Sequence, residues 1–134
     1  MDPLRAKLQQ HNATAAVIGL GYVGLPLALE IASAGFNVVG IDLDQNKIAT
    51  LNEGQSYIGD VSDKTIGDAI KTERFTPTSN FSALRDVDTV SICVPTPLSK
   101  SRDPDISFIL SATQQIREHL HAGELIVLES TTYP

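Results

Sequence analysis

The chain has 134 residues, 42% of them hydrophobic and 19% charged, with a formal net charge of −6 and an isoelectric point near 4.8. That length supports one domain with a real core, burying about two-thirds of its unfolded surface, and the acidic balance excludes the basic footprint of a nucleic-acid or anionic-membrane binder. No apolar run approaches the roughly 20 residues that span a bilayer, the polar segment 1–12 is no signal peptide and one cysteine makes no disulfide framework, so a cytoplasmic protein is expected.

Residues 3–10 read as a short leading helix with Leu4 and Leu8 on one face. A first strand follows over 14–19, and directly after it comes Gly19-Leu20-Gly21-Tyr22-Val23-Gly24, which opens a helix over 22–34 that Gly35 stops. Strand, glycine turn and helix in this order are the fingerprint of a dinucleotide-binding βαβ unit. Gly19 permits the tight turn, Gly21 puts no Cβ between backbone and pyrophosphate, and Gly24 lets the helix pack close to the sheet. The amides around Tyr22 and Val23 then face an anion at the positive end of the helix. Pro26 is tolerated in the first turn, where no amide donor is needed. Gly24, Ala28 and Ala32 form a small-residue stripe facing the sheet.

A second buried strand over 37–42 ends on Asp42, close to the spacing of a ribose-binding acid. Its carboxylate accepts ribose hydroxyls and repels a 2′-phosphate, which favours NAD over NADP. No lysine follows the glycines in the GxxxxGK[ST] pattern of a nucleoside-triphosphate loop. Asp44 is read as the N-cap of a helix over 45–52. Lys47, in its first turn, stands equally for a contact to the adenosine ribose and for a solvated side chain.

Further on, 63–72 reads as a weak helix, 75–78 as a short strand and 83–87 as a helical turn. A buried strand follows over 88–94, then an amphipathic helix over 106–121 started near Asp105, then a strand over 125–128. Five strands separated by helices imply an α/β fold with a doubly wound parallel sheet, ordered 3-2-1-4-5. Ligands of such sheets lie beyond the carboxyl ends of the strands. That rule selects Pro95 and Thr96 after the fourth strand and Thr131 after the fifth as edges of the nicotinamide half, with plain Pro and Thr turns as the competing reading. Cys93, inside an apolar run, is read as inert packing. His11, His119 and His121 have no metal-like arrangement; His119 and His121 are read as complements to a helix dipole. Glu129 is read equally as a substrate contact and as a solvated strand-end carboxylate.

Three motifs carry a family resemblance: Val17-Ile18-Gly19-Leu20-Gly21-Tyr22-Val23-Gly24, the Val94-Pro95-Thr96-Pro97-Leu98 turn with Pro104-Asp105 after it, and Glu129-Ser130-Thr131-Thr132-Tyr133-Pro134. The chain resembles the N-terminal NAD-binding domain of the UDP-glucose/GDP-mannose dehydrogenases over nearly its whole length. Its last motif and Gly54-Gln55-Ser56-Tyr57-Ile58 are most similar to the UDP-N-acetylglucosamine 6-dehydrogenase branch. The resemblance implies oxidation of the C6 alcohol of a UDP-sugar to a carboxylate by two NAD, through an aldehyde trapped on a cysteine as a thiohemiacetal. It also implies that Tyr22 and Val23 lie on the pyrophosphate, Asp42 and Lys47 on the adenosine ribose, Thr96 near the cofactor, and Thr131 near the nicotinamide and a catalytic water. The family's catalytic cysteine, lysine and asparagine match nothing in these residues, nor do its central helix and UDP-sugar-binding domain. Residues 1–134 are therefore expected to bind NAD without turnover, in an enzyme that is a homo-oligomer at full length.

Two other readings share some of these features. A stand-alone NAD-sensing module would keep the glycine turn and Asp42. A methyltransferase using S-adenosylmethionine would also have a glycine turn and a second-strand acid, but Gly24 speaks against it.

Overall fold

The computed structural model describes residues 3–95 and 106–129. Five strands, β1 (Thr14–Ile18), β2 (Asn37–Ile41), β3 (Phe75–Thr78), β4 (Thr89–Ile92) and β5 (Leu125–Leu128), form one sheet in the order β3-β2-β1-β4-β5. Every neighbouring pair is parallel, with Ile18 registered on Ile41 on one side and on Ile92 on the other. The order reverses between β1 and β4, which is where such sheets open a crevice. No helix among the described residues is long and apolar enough to cross a membrane.

Parallel strands buried on both faces read as near-continuous apolar runs, and β1 supplies one from Ala15 to Ile18. Ala15 and Val17 pack on one side with Leu25, Ala28 and Ala32 of α2 (Gly24–Ser33), Leu51 of α3 (Gln45–Asn52) and Ile66 of α4 (Asp63–Lys71). Ala16 and Ile18 pack on the other with Leu84 of a 3-10 helix (Phe81–Asp86) and with Ala112 and Ile116 of α5 (Ser107–His119). The small-residue stripe of α2 is buried throughout. Short α1 (Pro3–Gln9) is tied to the sheet by Lys7, whose Nζ lies 2.9 Å from Asp88 Oδ1. The other oxygen of Asp88 accepts the Thr14 amide at 2.9 Å.

Several boundaries differ from the sequence reading for local reasons. The second helix starts at Gly24 rather than Tyr22, because Leu20 to Val23 are spent on the turn off β1. The 3-10 helix begins at Phe81, ahead of residue 83, because Asn80 caps it by accepting the Ser82 amide at 2.9 Å. Helix α5 ends at His119, with Leu120 already extended at φ −65° and ψ 137°. His121 thus belongs to the turn before β5 and does not serve the helix dipole. The expected start of α5 at Asp105 lies outside the described residues.

Candidate functional site

The glycine turn continues the β1 ladder to both sides before it bends. Gly19 donates its amide to Ile41 O at 2.8 Å, and Ile18 O accepts the Cys93 amide at 2.7 Å. Gly19 has φ +94°, and a Cβ there would lie 2.8 Å from the Cys93 carbonyl. Gly24 is the point of closest approach: its Cβ would fall 1.6 Å from Gly19 O. Both positions therefore hold glycine for the sake of the fold. A Cβ on Gly21 would meet nothing within 4 Å. The motif's middle glycine borders open space.

That open space faces the start of α2, where Val23 occupies the N-cap position without any side-chain cap. The first amides to find intrachain acceptors are Leu25, on Gly21 O at 3.1 Å, and Leu27, on Val23 O at 3.1 Å. Among the described residues, the amides of Gly21, Tyr22, Val23 and Gly24 have no protein acceptor. Unpaired donors at a helix N-terminus are satisfied by water or by an anion. Tyr22 is 84% exposed and lies outside the core.

Asp42 follows β2 and turns back to the glycine turn. Its Oδ2 accepts the Leu20 amide at 2.9 Å and its Oδ1 accepts the Asp44 amide at 2.9 Å. A carboxylate has about four lone-pair sites, so capacity for further donors remains. Lys47 Nζ stands 3.9 Å from Asp42 Oδ2 and 5.7 Å from the centre of the Tyr57 ring. Asp44 is the N-cap of α3, accepting the Asn46 and Lys47 amides at 3.0 and 3.4 Å.

Beside this cluster a cleft of about 480 Å³ runs along the carboxyl ends of β1, β2 and β4. Gly19, Asp42, Lys47, Val94, Pro95 and Phe108 are among the residues that line it. Gly19, Asp42, Lys47 and Pro95 thus line one crevice, and Gly21, Tyr22, Val23 and Gly24 follow Gly19 in the turn and the start of α2, while Thr96 and Thr131 lie outside the described residues. Leu43, Phe81, Phe108 and Ser111 also line the cleft and were not singled out from the sequence. The first two follow the second- and third-strand ends, so the strand-end rule applied to every strand would have found them. Phe108 and Ser111 come from α5, and only its packing brings them there.

Cys93 is buried behind Gly19 and Gly24, and burial, with the Glu129 carboxylate adding, pushes its thiol up to about 11. It packs in the core as a protonated thiol at neutral pH. His119 Nδ1 lies 2.9 Å from Gln115 O. Among the described residues no group of three or more His, Cys, Asp or Glu is placed to hold a metal. Glu129 is exposed just past β5.

The residues fit a dinucleotide: free amides and open space for a diphosphate, and an acid with spare acceptor capacity for a ribose. Comparison with known proteins points the same way. A family model described as "UDP-glucose/GDP-mannose dehydrogenase family, NAD binding domain" matches residues 13–134. The UDP-N-acetyl-D-mannosamine dehydrogenase of Pyrococcus horikoshii is 36% identical over 120 residues, covering 89% of this chain and 28% of that protein. The UDP-N-acetyl-D-glucosamine 6-dehydrogenase of Pseudomonas aeruginosa is 35% identical over 119 residues, covering 89% and 27%. The solved structure of the P. horikoshii UDP-D-ManNAc dehydrogenase superposes with a TM-score of 0.84 at 35% identity, covering 90% of this chain and 29% of that one. The chain thus spans under a third of the length of these relatives.

Proposed function

Since this chain belongs to the UDP-glucose/GDP-mannose dehydrogenase family and is its NAD-binding domain, we propose that it is the cofactor part of a UDP-sugar 6-dehydrogenase. The substrate we assign is UDP-N-acetylglucosamine or UDP-N-acetylmannosamine, oxidised at C6 to the uronate by two NAD. The names of the two relatives support that choice. The sugar-binding and cysteine chemistry is assigned to other parts of the enzyme, so these residues alone bind NAD without turnover.

When bound, NAD accepts the hydride that leaves the sugar carbon. What these residues do is hold it. The amides of Gly21, Tyr22, Val23 and Gly24 receive the diphosphate at the positive end of α2. Asp42 accepts the adenosine ribose hydroxyls, and Lys47 sits beside it as a second contact. A 2′-phosphate would bring like charge to Asp42, at about 4 kcal/mol for 4 Å and an effective dielectric of about 20, which favours NAD. Pro95, Thr96 and Thr131 are assigned to the nicotinamide side, with Thr131 beside the reacting carbon and a water.

The observation that carries this reading is the uncapped α2 N-terminus beside Asp42. Titration calorimetry with NAD, NADP and S-adenosylmethionine tests it. NAD should bind, NADP more weakly, and S-adenosylmethionine not at all; no heat with NAD refutes the reading.

A further inference from the structure

We propose that Tyr57 is a positioning residue for the cofactor diphosphate, holding the Leu20 carbonyl so that the next amide, on Gly21, is aimed away from it towards the open space beside the glycine turn. The proposal rests on the reading that NAD occupies the glycine turn.

Tyr57 belongs to the connection between α3 and α4, far from the turn in sequence. Its hydroxyl nevertheless donates to Leu20 O, and its ring packs against the core under α2 and α4. The Leu20 amide is held from the other side by Asp42 Oδ2 at 2.9 Å, and the Leu20 side chain is fully buried. Leu20 is thus gripped at its nitrogen, its side chain and its oxygen.

The consequence follows from peptide geometry. A trans peptide is planar, with its C=O and N–H pointing in opposite directions, and the chain has no cis peptide bond among the described residues. With the Leu20 carbonyl fixed on Tyr57, the Gly21 N–H points to the opposite side. That amide has no protein acceptor among the described residues, and Gly21 borders open space. Without the hydroxyl, nothing else among the described residues accepts the task of orienting this peptide plane, because no other donor to Leu20 O is present.

Lys47 closes the arrangement, standing over the Tyr57 ring and 3.9 Å from Asp42. The diphosphate and ribose contacts are therefore set by one ring of four residues: Leu20, Asp42, Lys47 and Tyr57. Burial, with Asp42 and Asp44 nearby, holds the phenol far above its ordinary range. The hydroxyl remains a donor at neutral pH.

Tyr57→Phe tests this, since it keeps the ring and removes only the hydroxyl. Calorimetry compares NAD, ADP and adenosine on the unaltered chain and the variant. Affinity for NAD and ADP should fall about fivefold, the worth of roughly one hydrogen bond, while adenosine affinity stays the same. An equal loss for adenosine, or no loss for ADP, overturns the proposal. Failure of the unaltered chain to bind NAD would instead refute the cofactor reading. If the variant does not fold, nuclear magnetic resonance of the unaltered chain decides. Saturating ADP should shift the Gly21 amide resonance strongly, and a Gly21 resonance that stays put while others respond overturns the proposal.

Discussion

The two glycines Gly21 and Gly24 stand three residues apart in one motif, yet alanine should separate them completely. At Gly24 the new methyl would lie 1.6 Å from Gly19 O, 2.8 Å from Gly19 C and 3.2 Å from Cys93 Cβ. Two of these three atoms are backbone, so no side-chain rotation relieves the clash. The start of α2 must move outward by well over 1 Å, lifting Leu25 and Ala28 off the sheet. Overpacking a core costs about 1 to 3 kcal/mol and occasionally more, and Gly24→Ala belongs at or above the upper figure. For a domain of this size that is a fall of about 10 °C or more in melting temperature. Gly21→Ala meets nothing within 4 Å, and Gly21 is not among the glycines with positive φ. Its fold should be unharmed or steadier by up to about 1 kcal/mol, through the stiffer unfolded chain. Its cost falls on the ligand, because the methyl occupies the approach of the diphosphate. One or two hydrogen bonds to a charged group are lost, at about 1.5 to 3 kcal/mol each, so NAD affinity should drop at least tenfold. Thermal melts followed by circular dichroism and calorimetric NAD titration of both variants read the two effects separately. A Gly24→Ala protein that melts like the parent, or a Gly21→Ala protein that binds NAD undiminished, refutes the reasoning.

Asp42→Ala should weaken NAD by about 1 to 3 kcal/mol and narrow its lead over NADP, and it should lower the melting temperature too, because the Leu20 and Asp44 amides lose their acceptor. Competition calorimetry with both cofactors checks this, and an unchanged NAD to NADP ratio would show that another residue reads the ribose. Cys93, protonated up to about pH 11 by burial, should resist iodoacetamide at pH 8 in the folded protein and react readily in urea; mass spectrometry counts the adduct. For Asp88, burial alone would raise the carboxyl, but hydrogen bonds from Lys7 and Thr14 outweigh it and leave it below 3.8. A depressed carboxylate stabilises the fold above its unfolded value and ceases to do so as pH falls through the folded one. Asp88→Asn should therefore cost about 1 kcal/mol at pH 7 and progressively less below pH 3.8 in urea titrations at each pH.

The sheet order was legible because it follows from a few local signals: apolar strand runs, helix-length spacers and an early glycine turn. The glycines and Asp42 were legible for the same reason, since turn, helix start and strand end are neighbours in sequence. Asp44 as a cap needed only the residues after it. What was not legible depends on contacts that no local pattern encodes. Tyr57 meets the Leu20 carbonyl across the α3–α4 connection, and nothing in the polar run around it announces that partner. Phe108 reaches the cleft only because α5 packs with the 3-10 helix over one face of the sheet. His121 was misplaced because an apolar Leu120 extended the helical pattern past its true end.

All four strand pairings being parallel has a bearing on how the protein comes into being. No strand can fold back on its sequence neighbour as a hairpin, and the central strand β1 takes one flank from β2 but its other from β4, registered Ile18 to Ile92. At ribosomal rates of about 5 to 20 residues per second, β1 leaves the exit tunnel several seconds before its second neighbour is made. The crevice between them therefore waits for β4, and a nascent chain has its glycine turn before it has anywhere to keep a nucleotide.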